Sequence, residues 1–380
     1  MTSVKGVEEV HGFCDRRFSA VRDTFAANFQ AGLETGASFA ATLNGEPIID
    51  LWAGSADAAG RRPWERDTIV NVFSTTKAMV AICANMLADR GLLDLEAPVA
   101  SYWPEFAQAG KADLPVKYLL SHQAGLPGIT NRPMADFYDW DAVAEALAAE
   151  APWWEPGTAN GYHAITFGNL VGEVLRRITG KSLGTFFRDE VAQPLGADFL
   201  IGFGPEEDAR VGEMIPAAAE VGADLPPDSL LPKVLSNPPF DPAMANTREW
   251  RAAEIPAANG HGNARSCARI MSALACGGEV DGVRLLSTSA IERAIDEQCY
   301  RKDLVLSVPM RWGLGFMLRS DDLPISPNER TFGHGGAGGS LAIADMDARL
   351  SWAYVMNRMA ATTVGDSRAG SIAAALYASL

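Results

Sequence analysis

Apolar side chains recur at helical spacing near the start of the chain, where Val10, Phe13, Phe18, Val21, Phe25 and Phe29 predict an amphipathic helix over residues 8–32. The period then changes. In "ASFAATLNGEPIIDLWAG" apolar and polar positions alternate around Asn44-Gly45, a dipeptide suited to a tight hairpin turn, so two antiparallel strands are expected. From Val72 to Leu95 the spacing is helical again, and Gly91 after Arg90 marks the stop. The stretch 91–260 is rich in proline and tryptophan and carries helical patches such as "WDAVAEALAAE" and "TFGNLVGEVLRRITG". Strand patterns return in "RWGLGFMLRS" and in "GSLAIADMDARLSWAYVMN", the latter two runs joined by a turn around Asp345–Ala348, and an alanine-rich helix is expected near 366–379. Residues 1–90 and 261–380 together predict one discontinuous α/β domain of the α+β type. Its sheet should be mostly antiparallel, because the strands arrive as hairpins, and flanked by helices. Residues 91–260 read as a mainly helical inserted domain.

Composition narrows the function classes. At 380 residues the chain exceeds the usual single-domain size, and 48% hydrophobic with 21% charged residues is globular composition. A formal charge of −15 and a pI near 4.8 would repel phosphates, so nucleic acid is excluded as a partner. Acids stand in the N-terminal stretch where a signal peptide is apolar, and no apolar run approaches the roughly 18 residues that span a bilayer. A cytoplasmic protein without a membrane partner is expected. The five cysteines, Cys14, Cys83, Cys267, Cys276 and Cys299, are odd in number, lack Cys-x-x-Cys spacing and read as buried thiols.

Several strings compete for the chemistry. "GKSLG" (180–184) matches Gly-x-Ser-x-Gly, but helical patterns lie on both sides of it where that motif needs a strand before the serine. Gly180 is better read as a helix C-cap and Ser182 as the next N-cap. A phosphate loop ending at Gly180-Lys181-Ser182 would need glycine where Leu175 stands. The five histidines, His11, His122, His163, His261 and His334, show no zinc-site spacing, and no metal or other cofactor is expected. Ser74 and Lys77 remain, three residues apart on one face at a helix start. A serine hydroxyl must pass its proton to a base when it attacks, and a lysine with a lowered pKa can take it. Taken alone, the pair reads equally well as an N-cap beside a solvated lysine.

Downstream lie "VKYLLSHQAGLPG" (116–128), "WEPGTANGYHAITFGNLVGEVL" (154–175) and "FGHGGAGGS" (332–340). With "FSTTK" before them, the four strings in this order resemble the serine β-lactamase and penicillin-binding protein superfamily, most closely its class C-like branch containing the family VIII carboxylesterases. The resemblance spans about residues 30–360. It implies a β-lactamase/transpeptidase-like fold, Ser74 as the acylated nucleophile, Lys77 as its general base and Tyr162 as the tyrosine of the family's Tyr-x-Asn motif. A lysine ammonium beside Tyr162 would lower the phenol's pKa, so that the two share a proton. His334, Gly335, Gly336 and Ala337 occupy the place of the Lys-Thr-Gly strand. By the resemblance the Ala337 and Ser74 amides form the oxyanion hole, with His334, Gly335 and Gly336 beside the bound acyl group. Trp153 and Trp154 are candidates to line an apolar acyl pocket or to be core. His122 is expected to hold a loop by hydrogen bonds, and His163 to point away from the site.

Two departures bear on substrate. Ala164 stands where Tyr-x-Asn has an amide, and His334 where Lys-Thr-Gly has a fixed positive charge. Both losses argue against a β-lactam and for a small carboxylic ester, hydrolysed through an acyl-enzyme. An acyltransferase, a β-lactamase or a peptidase using the same site are the alternatives, and a non-catalytic binding protein is the reading from another class.

Overall fold

The hairpin forms where the alternation placed it. Gly36–Leu43 and Glu46–Gly54 pair antiparallel across Asn44 and Gly45, whose φ angles of 53° and 86° are both in the left-handed region that a two-residue turn demands. The structure, a computed structural model, describes residues 9–218, 226, 229–362 and 366–380. Its main sheet has nine strands, all antiparallel, in the order His11–Cys14, Glu46–Gly54, Gly36–Leu43, Leu350–Met356, Leu341–Asp345, Thr331–Gly335, Met317–Leu318, Pro309–Trp312 and Cys299–Lys302. Leu350–Met356 lies against Gly36–Leu43, so the first and last strand groups join at the centre of one sheet. The turn between Asp345 and Leu350 falls where the sequence placed it.

The helix Ala264–Ala275 packs across three of the central strands, and Ser351 Oγ donates to Ala268 O at 2.7 Å. Ser19–Gln30 packs on the alanine-rich helix Ser367–Ala378. The predicted N-terminal helix is shorter than expected. Its first part, His11–Cys14, is instead an edge strand in register with Ile49–Trp52, because a neighbouring strand offers backbone partners that a frayed first turn lacks. Phe13 is accordingly exposed, whereas Phe18, Val21 and Phe25 are buried on the helical portion. The first eight residues of the predicted N-terminal zone lie outside the described residues.

The stretch 91–260 contributes helical segments and, among the described residues, one short strand, Phe199–Leu200, which pairs with His261–Gly262 beside Val70–Asn71. Trp140–Ala149 and Thr166–Thr179 are the two expected helices. Gly180 caps the second at φ 71°, and the Ser182 side chain accepts from the Thr185 amide as the next N-cap. "RWGLGFMLRS" is two short strands around a bend rather than one. The bend lets Gly315, at φ 88°, press on the helix Thr76–Asp89, where an added Cβ would lie 2.5 Å from the Ala81 Cβ. Among the described residues no helix is long and apolar enough to cross a membrane.

Candidate active site

Ser74 lies on a tight turn, Phe73–Thr75, that leads into the helix Thr76–Asp89. Phe73 has φ 43°, a left-handed conformation that costs a non-glycine residue energy and persists only where its surroundings enforce it. They do so here. Val72 N–H donates to Gly260 O at 2.8 Å, Thr76 Oγ1 donates to Phe73 O, and the buried Phe73 ring meets Phe240 edge-on. The consequence is that Ser74 is half-buried while Phe73 and Thr75 through Leu87 are buried. The strained turn lifts one hydroxyl out of an otherwise covered helix start.

Lys77 is fully buried, and no carboxylate lies within salt-bridge distance of it among the described residues. Its Nζ is 2.7 Å from Ala164 O, 2.9 Å from Ala257 O and 3.0 Å from Ser74 Oγ. Burial pushes its pKa well below the ordinary lysine value, because an ammonium without a counter-ion loses its hydration there. Two backbone carbonyls thus seat the amine, and its third contact is Ser74 Oγ.

Tyr162 reaches the same point from the loop before Thr166–Thr179. Its hydroxyl hydrogen-bonds Ser74, its ring centroid is 4.7 Å from Lys77 Nζ, and it stacks on Trp312 with an interplanar angle of 6°. The expected lowering of the phenol is not found. Burial, with the nearby Asp303 charge adding to it, raises the Tyr162 pKa above its ordinary value. Desolvation therefore works against the charged form of both groups.

Four backbone and side-chain donors converge on Asp303, which is buried. Its Oδ1 accepts from the amides of Tyr162, Val305 and Leu306, each at 2.9 Å, and its Oδ2 accepts from Asn160 Nδ2 at 2.9 Å. This carboxyl holds the Tyr162 segment in place. Sequence reading missed it, although a lone acid in the apolar run "DLVLSV" is a signal for a buried, paired carboxylate. Trp312 and the carbonyls of Ala164 and Ala257 were missed as well.

The fourth string forms the strand Thr331–Gly335 and the turn after it. Gly336 passes so close to the serine turn that an added Cβ would lie 2.2 Å from Val72 O and 3.2 Å from Ser74 N. Ser340 Oγ, also missed, donates to Val72 O at 2.8 Å and hydrogen-bonds Thr75 Oγ1 at 3.0 Å, tying the two turns together. Neither the Ser74 nor the Ala337 amide has a backbone acceptor among the described residues. His334 Nδ1–H donates to Gly335 O at 2.7 Å, and its Nε2 is buried without a partner among the described residues. Burial holds the His334 imidazole down to about 3, so it is neutral at ordinary pH. Its ring is tilted against those of Tyr162 and Trp312, which places it in the same site.

The remaining candidates have supporting places. His122, at φ 59°, accepts from the His163 amide through Nδ1 and packs against Tyr162 and Trp312. His163 donates to Gly161 O and accepts from the Leu126 amide, so both its ring nitrogens are used. Trp154 packs on Gly161 and edge-on to His163, with its indole N–H on Ala159 O. Trp153 lies against Gly128, and Lys233 Nζ is 3.8 Å from its ring centroid. No hydrogen bond or ring contact joins either tryptophan to Ser74, Lys77 or Tyr162.

A serine hydroxyl facing a buried amine whose charged form burial disfavours, with a phenol on its other side and free amides nearby, is the arrangement of a serine acyl-transfer enzyme. A family model described as Beta-lactamase matches residues 25–377, and the chain belongs to that family. Esterase/beta-lactamase LipL of Mycobacterium tuberculosis (strain ATCC 25618 / H37Rv) is 37% identical over 378 residues, covering 95% of this chain and 86% of that protein. Among solved structures, a family VIII carboxylesterase is 48% identical with a TM-score of 0.91, over 98% of this chain and 100% of the other. A penicillin-binding protein homologue from Caulobacter crescentus is 41% identical with a TM-score of 0.92 over the same shares. The β-lactamase/transpeptidase-like fold expected from the four strings is the fold of this chain.

Proposed function

We propose that this protein is a carboxylesterase that hydrolyses small esters through an acyl-enzyme on Ser74. The observation that carries the reading is the seating of Lys77 Nζ by the Ala164 and Ala257 carbonyls at 3.0 Å from Ser74 Oγ, in a burial that favours the neutral amine able to take the serine proton. The similarity to a family VIII carboxylesterase and to an esterase/beta-lactamase supports the substrate class.

The chemistry starts from a neutral Lys77 and a neutral Tyr162, the forms that burial favours. Ser74 Oγ attacks the ester carbonyl as its proton passes to Lys77, and the Ser74 and Ala337 amides receive the negative oxygen. The new ammonium, 4.7 Å from the Tyr162 ring, offsets the cost of a phenolate. Tyr162 can then give its proton to the departing alkoxide as the C–O bond breaks. In the second half the phenolate takes a proton from water, whose oxygen attacks the acyl carbon. Lys77 returns its proton to Ser74 as the acid leaves. Ester and water have become acid and alcohol, and both side chains are neutral again.

The choice of ester over β-lactam rests on His334 and Ala164. A neutral His334 supplies no charge for a lactam's carboxylate, and the Ala164 methyl offers no hydrogen bond to its side-chain amide. Each lost contact costs on the order of 1 to 3 kcal/mol of transition-state binding. The kcat/KM for p-nitrophenyl acetate or butyrate should therefore exceed that for nitrocefin by at least about 10². Mass spectrometry of acid-quenched turnover should find the acyl group on the peptide containing Ser74. Comparable efficiencies on the two substrate classes, or an acyl group elsewhere, would overturn the reading.

A further inference from the structure

The Ala337 amide sits on a turn, Gly336–Ser340, whose inner side Ser340 ties to the serine turn. Its outer side ends in Gly338 and Gly339, with φ angles of 85° and 124°. Two such glycines leave a turn free to take many conformations unless something outside holds it.

A buried guanidinium does so from the C-terminal helix. Arg368 Nη2 donates to Gly338 O at 2.8 Å, alongside the Ala360 amide at 3.0 Å. Its other donors are committed. Nη1 reaches Glu34 Oε2 at 3.0 Å and Arg358 O at 2.9 Å, while Nε and Nη2 grip the Asp366 carboxylate. The side chains of Arg368, Glu34 and Asp366 are 5%, 0% and 2% exposed, so this is a desolvated Arg368–Asp366 ion pair joined by Glu34, whose carboxyl burial pushes up to about 7 and whose Oε1 accepts from the Tyr354 hydroxyl. Gly339 packs on the same carboxylate, where an added Cβ would lie 2.1 Å from Asp366 Oδ2. Buried ion clusters add little stability over apolar packing, so stability alone does not account for this one.

We propose that Arg368, clamped by Glu34 and Asp366, is a positioning residue that aims the Ala337 amide at the oxyanion by fixing the Gly338 carbonyl. The proposal rests on the esterase reading of the Ser74 site. Arg368 touches no substrate. Its effect is on where the amide two peptide planes back along the turn points, and so on the transition state more than on ground-state binding.

The test uses the full chain, p-nitrophenyl butyrate and phenylboronic acid, which forms a tetrahedral adduct on an active serine and so reports oxyanion binding without turnover. Wild-type hydrolysis and acylation of Ser74 are measured first; their absence would defeat the esterase reading, not the role of Arg368. In Arg368→Met, assayed below its own thermal midpoint, kcat should fall about 10²-fold, as for loss of one oxyanion donor, with KM changed less than about threefold. Boronate affinity should fall in parallel, and Arg368→Lys should recover about tenfold of the lost kcat. If Arg368→Met does not fold, Arg368→Lys carries the test, with about a tenfold fall in kcat at constant KM expected. A folded variant with kcat and boronate affinity near wild type, or one whose loss lies wholly in KM, would overturn the proposal.

Discussion

Asp303 offers a sharp separation between holding a backbone and carrying a charge. In Asp303→Ala the amides of Tyr162, Val305 and Leu306 and the Asn160 side chain all lose their acceptor at once. Each orphaned buried donor costs about 1 to 3 kcal/mol, part of it recovered by water entering the space vacated. A net destabilisation of about 3 to 5 kcal/mol is the expected size for four buried neutral donors orphaned together and partly rescued by water. The Tyr162 segment would be released, and kcat for p-nitrophenyl butyrate should drop by more than about 10². Asp303→Asn is different. Its Oδ1 can keep the three amides, and its new NH₂ would face Asn160 Nδ2. Asn160 Oδ1 has no hydrogen-bond partner among the described residues, so a flip of that amide restores the fourth bond. The asparagine variant should stay within about tenfold of wild type in kcat and lose about 1 kcal/mol of stability. Because the Asp303 charge helps raise the Tyr162 phenol, removing it should also move any alkaline limb of the pH profile to lower pH. Steady-state kinetics, thermal melts and pH profiles on both variants decide the matter. Wild-type kcat in Asp303→Ala, or an asparagine variant as damaged as the alanine one, would refute the reasoning.

A fluorophosphonate should label Ser74 and leave Ser182 untouched, since Ser182 Oγ caps a helix and donates to Glu254 at 2.6 Å; peptide mapping checks this. Lys77→Ala and Tyr162→Phe should each lower kcat by more than about 10² with smaller changes in KM, read from initial rates. Activity should fall on acidification as the Lys77 amine, held well below its ordinary value, takes up a proton, and should stay level into the alkaline range because the Tyr162 phenol is held above its own. A profile that falls already between neutrality and about pH 9 would contradict those directions. Gly336→Ala should lose at least about 10² in kcat/KM, because the clash is with the Val72 carbonyl, a backbone atom that cannot swing aside.

What could be read from the chain was whatever residue type and local spacing encode. Asn44-Gly45 names its own turn, Gly180 and Ser182 name a helix stop and start, and the spacing of Ser74 and Lys77 survives into a 3.0 Å contact. What could not be read depends on partners far along the chain. His11–Cys14 is a strand only because Glu46–Gly54 lies beside it. The carbonyls of Ala164 and Ala257 act on Lys77 through the backbone, and every residue type has one, so no letter announces them. The direction of the Tyr162 shift was misread for a related reason. Proximity to a lysine can be guessed from a motif, whereas burial of both groups is a property of the packed interior, and here burial outweighs the neighbour.

The joining of early and late strands at the centre of the sheet governs when the site can exist during synthesis. Ser74 and Lys77 leave the ribosome early, yet the amide proposed as their oxyanion partner belongs to residue 337, and the turn bearing it is gripped by residue 368. The strand Gly36–Leu43 waits for Leu350–Met356 before its second edge is covered. Until then a long apolar edge is open to pairing with other chains, the hazard of late-closing sheets. A nascent chain stalled before residue 337 should therefore lack esterase turnover while already exposing a sticky strand. In such an architecture, activity gained during translation marks the end of a vulnerable interval in the life of the molecule.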